Sequence, residues 1–170
     1  MQLAIDDAIS RGTTVVVAAG NDNANAANFT PASCAGSITV GATRITGARA
    51  SYSNSGERID LSAPGGGGAV DGNPGGYVWQ AWHDSATAPV DGAETYIGYT
   101  GTSMAAPHVA GVVALLQSVA PVPLTPAQVK TLLVDTAREF PAGIPSSTPL
   151  GAGILDAAAA VEQVANPCEG

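Results

Sequence analysis

Residues 98–116 read "GYTGTSMAAPHVAGVVALL" and carry the most informative pattern in the chain. Apolar residues recur at helical spacing after Ser103, which predicts a helix from Ser103 to about Val119. A serine at a helix start usually caps the helix. Here Gly101 allows a sharp backbone turn, small alanines leave space beside the hydroxyl, and Pro107 is expected in the first turn. The pattern favours an exposed hydroxyl at the positive end of a helix, where a developing oxyanion is stabilised.

A second polar feature follows a short apolar run, "VVVAAGNDN", at residues 15–23. The run is β-branched and apolar on both faces, which is typical of a buried parallel strand. The strand is predicted to end at Gly20, so Asn21 stands at the carboxyl edge of the sheet, where ligands bind in open parallel sheets. An asparagine after glycine is often only a turn residue. Its amide can instead donate a hydrogen bond to an oxyanion.

Composition and charge limit the function classes. The chain has 170 residues, about one domain, and 45% of them are apolar, enough for a packed core. The formal net charge of -8 argues against nucleic acid and anionic lipid as partners, because both attract basic surfaces. The sequence suggests no membrane span of about 18 apolar residues. Its two cysteines form no zinc-binding cluster with the histidines.

Strand-like and helix-like segments alternate, which predicts an α/β fold with a mostly parallel sheet flanked by helices. Residues 65–100, rich in glycine, are interpreted as long loops around one or two short strands. Thr125 and Gln128 form a predicted capping box, and Asp156 is the expected cap of the last helix. The predicted strands cover residues 13–19, 37–43 and 58–64. Four helices are predicted: one at the start of the chain that ends at Gly12, the helix after Ser103, and one within each of residues 124–137 and 154–165.

Together these stretches resemble one known family. "GTSMAAPHVAGVVALL" closely resembles the nucleophile segment of the subtilisin-like serine peptidases, and "VVVAAGNDN" resembles their oxyanion segment. "SYSNSGERIDLSAPG" resembles the strand and loop between them, while "ANFTPASCAGSITVGAT" is similar to the secreted, proteinase K-like bacterial branch. The resemblance covers residues 1–164 and implies the C-terminal part of the catalytic domain, a partial subtilisin-like fold. Residues 165–170 are interpreted as a tail or linker.

The resemblance implies a serine endopeptidase that is secreted and acts on protein or peptide substrates. Ser103 would be the nucleophile, and the Asn21 side chain would form the oxyanion hole with the backbone N–H of Ser103. The implied substrate-binding residues are Ala18, Ala19 and Gly20, which match one wall of the S1 pocket, and Thr102. The turn at residues 28–32 matches the far end of that pocket.

The family's triad order is aspartate, histidine, serine, and the first two members have no match here. The motifs that carry them (D-T-G or D-S-G, and H-G-T-H) occur nowhere in the sequence. The resemblance gives His108 a structural role within its helix, and His83 lies in a variable loop. We therefore expect the chain alone to be nearly inactive and to need an upstream half of the catalytic domain as its partner. The alternative is a non-catalytic binding or assembly module that retains the motif by descent.

Catalysis in the family requires no cofactor, but the resemblance implies a structural calcium ion. The matching ligands are the carbonyls of Ala35 and Ser37 and the carboxylate of Asp60, a hard oxygen set that suits calcium. Asp60 could equally accept backbone hydrogen bonds. The sequence leaves two alternatives for Cys34 and Cys168, which are a disulfide between them or two free thiols. In the bacterial relatives, the partner implied for Cys34 would precede this chain.

Overall fold

The computed structural model describes residues 1–141 and 143–165. Its main sheet has three parallel strands in the order β1-β2-β3. They are β1 (Val16–Ala18), β2 (Ile38–Thr43) and β3 (Leu61–Pro64). All six residues of the central strand β2 are buried, as expected for an apolar, β-branched strand covered on both faces. The α/β prediction with a mainly parallel sheet is confirmed.

The strands are shorter than the sequence predicts. Strand β1 begins at Val16 rather than at residue 13, and β3 begins at Leu61 rather than at residue 58. Before β3, the backbone N–H of Asp60 already donates to the carbonyl of Thr39, but the regular ladder starts one residue later. Strand propensity predicts both strands to be longer than they are. The additional residues lie in turns, where the backbone makes hydrogen bonds outside the regular ladder.

Four helices accompany the sheet: α1 (Gln2–Ser10), α2 (Thr102–Val119), α3 (Pro126–Asp135) and α4 (Ala157–Ala165). Helix α2 contacts all three strands and also α4. Its buried residues recur at spacings of three and four, so one face lies on the sheet. These residues are Thr102, Ala105, Val109, Val112 and Leu116. The core continues into α3 through Val129 and Leu133.

Two predicted helix caps are confirmed. Thr125 Oγ1 accepts from the backbone N–H of Gln128 at 3.3 Å, while Gln128 Oε1 accepts from the backbone N–H of Thr125 at 2.9 Å. Asp156 Oδ1 accepts from the backbone N–H of Ala159 at 3.0 Å, at the start of α4. Each bond satisfies a donor that the helix geometry leaves without an internal partner.

The predicted place of Pro107 in the first turn is wrong. Helix α2 begins at Thr102, one residue earlier than expected, and Pro107 lies inside it. A proline has no N–H to donate to the carbonyl four residues before it, which is that of Ser103. The helix therefore lacks one internal hydrogen bond directly above the serine.

Residues 65–100 contain more regular structure than long loops. A short 3₁₀ helix, Gly68–Asp71, precedes an antiparallel hairpin of β4 (Val78–His83) and β5 (Glu94–Tyr99). The hairpin exposes several aromatic side chains, and the rings of Trp82 and Tyr99 meet edge to face with centroids 5.7 Å apart. The sequence predicts one or two short strands in this region, but it predicts neither their six-residue length nor their antiparallel pairing.

Helix α2 is apolar on more than its buried face. Among the described residues, one helix is long and apolar enough to span a membrane by length and composition alone, and that helix is the 18-residue α2. The core helix of a folded domain meets the same criterion. On the face away from the sheet, Leu115 and Val119 are 51% and 41% exposed, and a side chain added at Gly111 would meet nothing within 4 Å.

Candidate active site

The end of β1 and the start of α2 meet through one polar cluster. Asn21 Oδ1 accepts hydrogen bonds from both the backbone N–H and the hydroxyl of Thr102, each at 2.9 Å. Thr102 Oγ1 in turn accepts from the backbone N–H of Gly20 at 3.1 Å. Because a backbone N–H can only donate, the oxygen of the Asn21 amide must face Thr102. The donor nitrogen Nδ2 is therefore on the opposite side of the amide group.

Ser103 follows Thr102 in the first turn of α2 and is exposed. Gly101 precedes the helix with φ +153°, a conformation that favours glycine. A β-carbon built on Gly101 would lie 3.5 Å from Asn21 Nδ2, so the amide nitrogen lies beside the helix entrance. The same β-carbon would lie 3.7 Å from the backbone nitrogen of Ser103, so the Asn21 amide nitrogen and the Ser103 N–H lie near one point at the helix entrance.

A fully buried asparagine, Asn54, supports the loop that carries Asn21. Its Oδ1 accepts from the backbone N–H groups of Asp22 and Ala24, both at 3.0 Å, and its Nδ2 donates to the carbonyl of Ala19 at 2.9 Å. A β-carbon on Gly20 would approach Asn54 Nδ2 to 2.4 Å. Only glycine therefore fits between this amide and the turn.

Tyr52 supports the other side of the helix entrance. Its hydroxyl lies 2.7 Å from the carbonyl oxygens of both Gly65 and Gly66 and can donate to either. The carbonyl of Gly65 also accepts from the backbone N–H of Gly101 at 2.9 Å. Burial raises the pKa of the Tyr52 phenol to about 12. The phenol is thus held protonated, as a donor, beside Gly101, the residue that precedes α2.

The sequence patterns do not identify Asn54 or Tyr52 as parts of the site. Both lie in "SYSNSG", which the family resemblance assigns only to an intervening segment. A polar asparagine between serines carries no sign of burial. Their importance appears only when the fold brings residues 52–54 beside the end of β1 and the start of α2.

Neither histidine is engaged with Ser103. His108 Nδ1 lies 2.8 Å from the carbonyl of Met104, one turn earlier in α2, as expected for a structural residue of that helix. His83 Nδ1 accepts from the backbone N–H of Ser85, and its Nε2 lies 3.1 Å from the carbonyl of Val90. Both nitrogens of His83 are therefore occupied within its own hairpin turn.

The residues of the expected S1 wall lie together at the end of β1. Ala18 is the last residue of the strand, and Ala19 is fully buried with its backbone N–H donating to the carbonyl of Val40 at 3.0 Å. Gly20 then turns the chain toward Asn21 with φ +101°. The fold thus brings Ala18, Ala19, Gly20 and Asn21 beside Thr102 and Ser103.

The three residues expected to bind calcium face nitrogen donors. The backbone carbonyl of Ala35 accepts from Gln2 Nε2 at 3.1 Å, and the carbonyl of Ser37 accepts from Lys130 Nζ at 3.1 Å. Asp60 Oδ1 lies 2.7 Å from Lys130 Nζ. In the part of the chain that the structure describes, no cluster of three or more histidine, cysteine, aspartate or glutamate side chains could hold a metal. Each of the three oxygens expected to bind calcium thus lies within hydrogen-bond distance of a nitrogen atom.

Cys34 is buried, and its backbone carbonyl accepts from Ser37 Oγ at 3.0 Å. It forms no disulfide with any residue in the described ranges. Cys168 lies outside the described residues, as does the tail from residue 166 onward.

Comparison with known proteins places these features in a family. A family model described as "Subtilase family" matches residues 1–159. An "Extracellular protease" of Xanthomonas campestris pv. campestris is 52% identical over 166 residues, which is 98% of this chain and 26% of the relative. An "Extracellular basic protease" of Dichelobacter nodosus is 39% identical and is matched over 25% of its length.

Solved structures show the same relationship. A protease of Pseudoalteromonas arctica is similar with a TM-score of 0.86 and 44% identity, over 96% of this chain and 46% of that one. A cold adapted subtilisin-like serine proteinase is similar with a TM-score of 0.68 and 35% identity, over 89% of this chain and 49% of that one. The chain thus spans about a quarter of the curated relatives' length and about half of each solved chain.

Proposed function

The chain belongs to the subtilase family, and from this premise we propose that it is the part of a secreted serine endopeptidase that carries the nucleophile and the oxyanion hole. The observation that supports this most directly is the pair of hydrogen bonds from Thr102 to Asn21 Oδ1. They orient the Asn21 amide so that its donor nitrogen faces away from Thr102 and lies beside the start of α2. Secretion is supported by relatives that are named extracellular proteases.

In the proposed reaction, Ser103 Oγ attacks the carbonyl carbon of a peptide bond and its proton passes to a histidine base. The carbonyl oxygen becomes negative and accepts hydrogen bonds from Asn21 Nδ2 and the backbone N–H of Ser103. Collapse of the tetrahedral intermediate breaks the C–N bond, and the histidine gives the proton to the leaving amine. Water then hydrolyses the acyl-enzyme. Ala18, Ala19 and Gly20 would line the S1 pocket.

The base and its orienting aspartate would come from an upstream half of the catalytic domain. The uncovered face of α2 supports this proposal, because neighbouring exposed apolar side chains mark a surface that another part of a protein normally covers. The exposed Leu115 and Val119 and the open Gly111 form a surface on which further chain could pack. Among the described residues, nothing pairs with one edge of strand β1, and another strand could add there.

The experiment joins this chain to the segment of the Xanthomonas campestris relative that precedes the aligned region. We call this chimera the reconstituted enzyme. It should hydrolyse casein and label at Ser103 with a fluorophosphonate, whereas the chain alone should do neither at a measurable rate. The expected difference is large, because loss of the catalytic histidine from subtilisin lowers kcat by about 10⁶-fold.

The matched control is Ser103→Ala in the reconstituted enzyme, which should abolish both casein hydrolysis and labelling. If the folded chimera neither hydrolysed casein nor labelled, the chain would be a non-catalytic binding or assembly module. If the chain alone were active and lost that activity on Ser103→Ala, the base would have to lie within it.

A further inference from the structure

One ammonium group lies among the oxygens that the family resemblance assigns to calcium. Lys130 Nζ donates to the carbonyl of Ser37 at 3.1 Å and lies 2.7 Å from Asp60 Oδ1. The second carboxylate oxygen of Asp60 accepts from the backbone N–H of Thr39 at 2.8 Å. Gln2 contributes the remaining contact, because its amide both donates to the carbonyl of Ala35 and accepts from the backbone N–H of Ala35.

We propose that Lys130 is a resident cation that replaces calcium at Ser37 and Asp60. Calcium requires six to eight oxygen ligands at about 2.3–2.6 Å. The oxygens here instead meet nitrogen atoms at hydrogen-bond distances, from the side chains of Lys130 and Gln2 and the backbone of Thr39. The single charge of the ammonium balances the single carboxylate of Asp60. A divalent ion added beside Lys130 would meet a positive charge.

The position of Lys130 follows from the packing of α3. The preceding residue, Val129, is fully buried in the core, and Leu133, one turn later, is 1% exposed. These two residues anchor α3 in the main hydrophobic core, while the Lys130 side chain is only 31% exposed and extends to Ser37 and Asp60. Lys130 is the only lysine in the sequence.

The contacts of Lys130 connect three elements. Ser37 directly precedes β2, Asp60 directly precedes β3, and Lys130 itself lies in α3. A metal ion would connect the two strand starts only while bound. A covalently attached ammonium does so at any calcium concentration, so this part of the fold should not depend on calcium. The surrounding stability should depend on the lysine instead.

The test compares the full chain with a Lys130→Met variant, which keeps most of the side-chain length and removes the charge. Thermal unfolding is measured in EDTA, in millimolar CaCl₂ and in MgCl₂ at matched ionic strength. In EDTA the variant should unfold about 2–4 °C below the parent, the shift that loss of one partly buried ion pair produces in a chain of this size. Calcium alone should restore the loss, because Ser37 and Asp60 then present free oxygens.

The matched control is the double variant Lys130→Met with Asp60→Asn, which lacks the carboxylate and should not respond to calcium. Titration calorimetry with CaCl₂ should detect binding to Lys130→Met but none at this position in the parent. A Lys130→Met chain that folds only in CaCl₂ would support the proposal, whereas one that folds in neither buffer would overturn it. A calcium-dependent rise in the parent's Tm that Asp60→Asn removes would also overturn it.

Discussion

The amide oxygen of Asn21 and the hydroxyl of Thr102 lie 2.9 Å apart, and the backbone N–H of Thr102 reaches the same oxygen at the same distance. The two residues are far apart in sequence but adjacent in space, because α2 packs against β1. Thr102 is thus a positioning residue that fixes which side of the Asn21 amide faces Ser103. The proposed oxyanion hole depends on this orientation as well as on Asn21 itself.

Replacing Thr102 with valine should test that dependence. The change keeps the side-chain volume but removes the hydrogen bond that the hydroxyl donates to Asn21 and the one that it accepts from the backbone N–H of Gly20. Loss of a buried hydrogen bond costs about 1–3 kcal/mol, so kcat of the reconstituted enzyme should fall about 10–100-fold. KM should change little, since the amide acts mainly on the transition state. Steady-state kinetics on a chromogenic peptide measures both constants.

Thr102→Ser is the matched control, because serine retains the hydroxyl and should recover most of the lost kcat. An equal fall in kcat for both variants would mean that packing of the threonine methyl, and not its hydrogen bonds, matters at this position.

Asn54 should be the main source of rigidity in the loop that carries Asn21. Asn54→Ala removes bonds to Asp22, Ala24 and Ala19 from a fully buried position. We expect the free energy of unfolding to fall by about 2–4 kcal/mol. Urea denaturation of the reconstituted enzyme, in a Ser103→Ala background that prevents self-digestion, measures the loss. The exposed Asn28→Ala should change it by less than about 0.5 kcal/mol. A loss at Asn54 as small as that at Asn28 would contradict this role.

The parts of the fold that the sequence predicts are those set by local patterns. The capping box at Thr125, the cap at Asp156 and the buried strand β2 follow from residue types at short spacing. The hairpin of β4 and β5 does not, because its strands are interrupted by polar residues and pair across a long turn. The predicted start of α2 is one residue late, which also places Pro107 wrongly in the first turn.

For the site, motif resemblance identifies Ser103 and Asn21 as candidates. The residues that position them cannot be identified from local sequence patterns. Asn54 and Tyr52 act through contacts that only the folded chain creates. The sequence does not predict Lys130 near Asp60 either, because α3 and β3 are far apart along the chain. Tertiary contacts of this kind depend on topology, which single-sequence patterns do not specify.

The raised pKa of the Tyr52 phenol predicts that the free energy of unfolding falls at high pH. Burial raises its pKa in the folded protein to about 12, above the ordinary value of about 10. The folded state therefore holds the proton more tightly, so the stabilisation is complete below about pH 10 and disappears as the pH rises to about 12. Because the ring is half-buried, solvent screening reduces the effect to about 1 kcal/mol. Urea denaturation across this range measures it.

Tyr52→Phe is the control for the pH effect. It cannot titrate, so its free energy of unfolding should fall less steeply between about pH 10 and about pH 12 than that of the parent. Identical slopes for the two proteins would show that the Tyr52 phenol does not contribute to the alkaline transition.

The role of Asn21 in the oxyanion hole is tested by the kinetic effect of Asn21→Leu in the reconstituted enzyme. Leucine nearly preserves the volume and removes the amide donor. We predict that kcat falls about 10²–10³-fold while KM changes little, because the donor stabilises the oxyanion more than the ground-state carbonyl. Circular dichroism should show that the variant remains folded. A folded Asn21→Leu enzyme with raised KM and unchanged kcat would contradict the oxyanion assignment and make Asn21 a substrate-binding or turn residue.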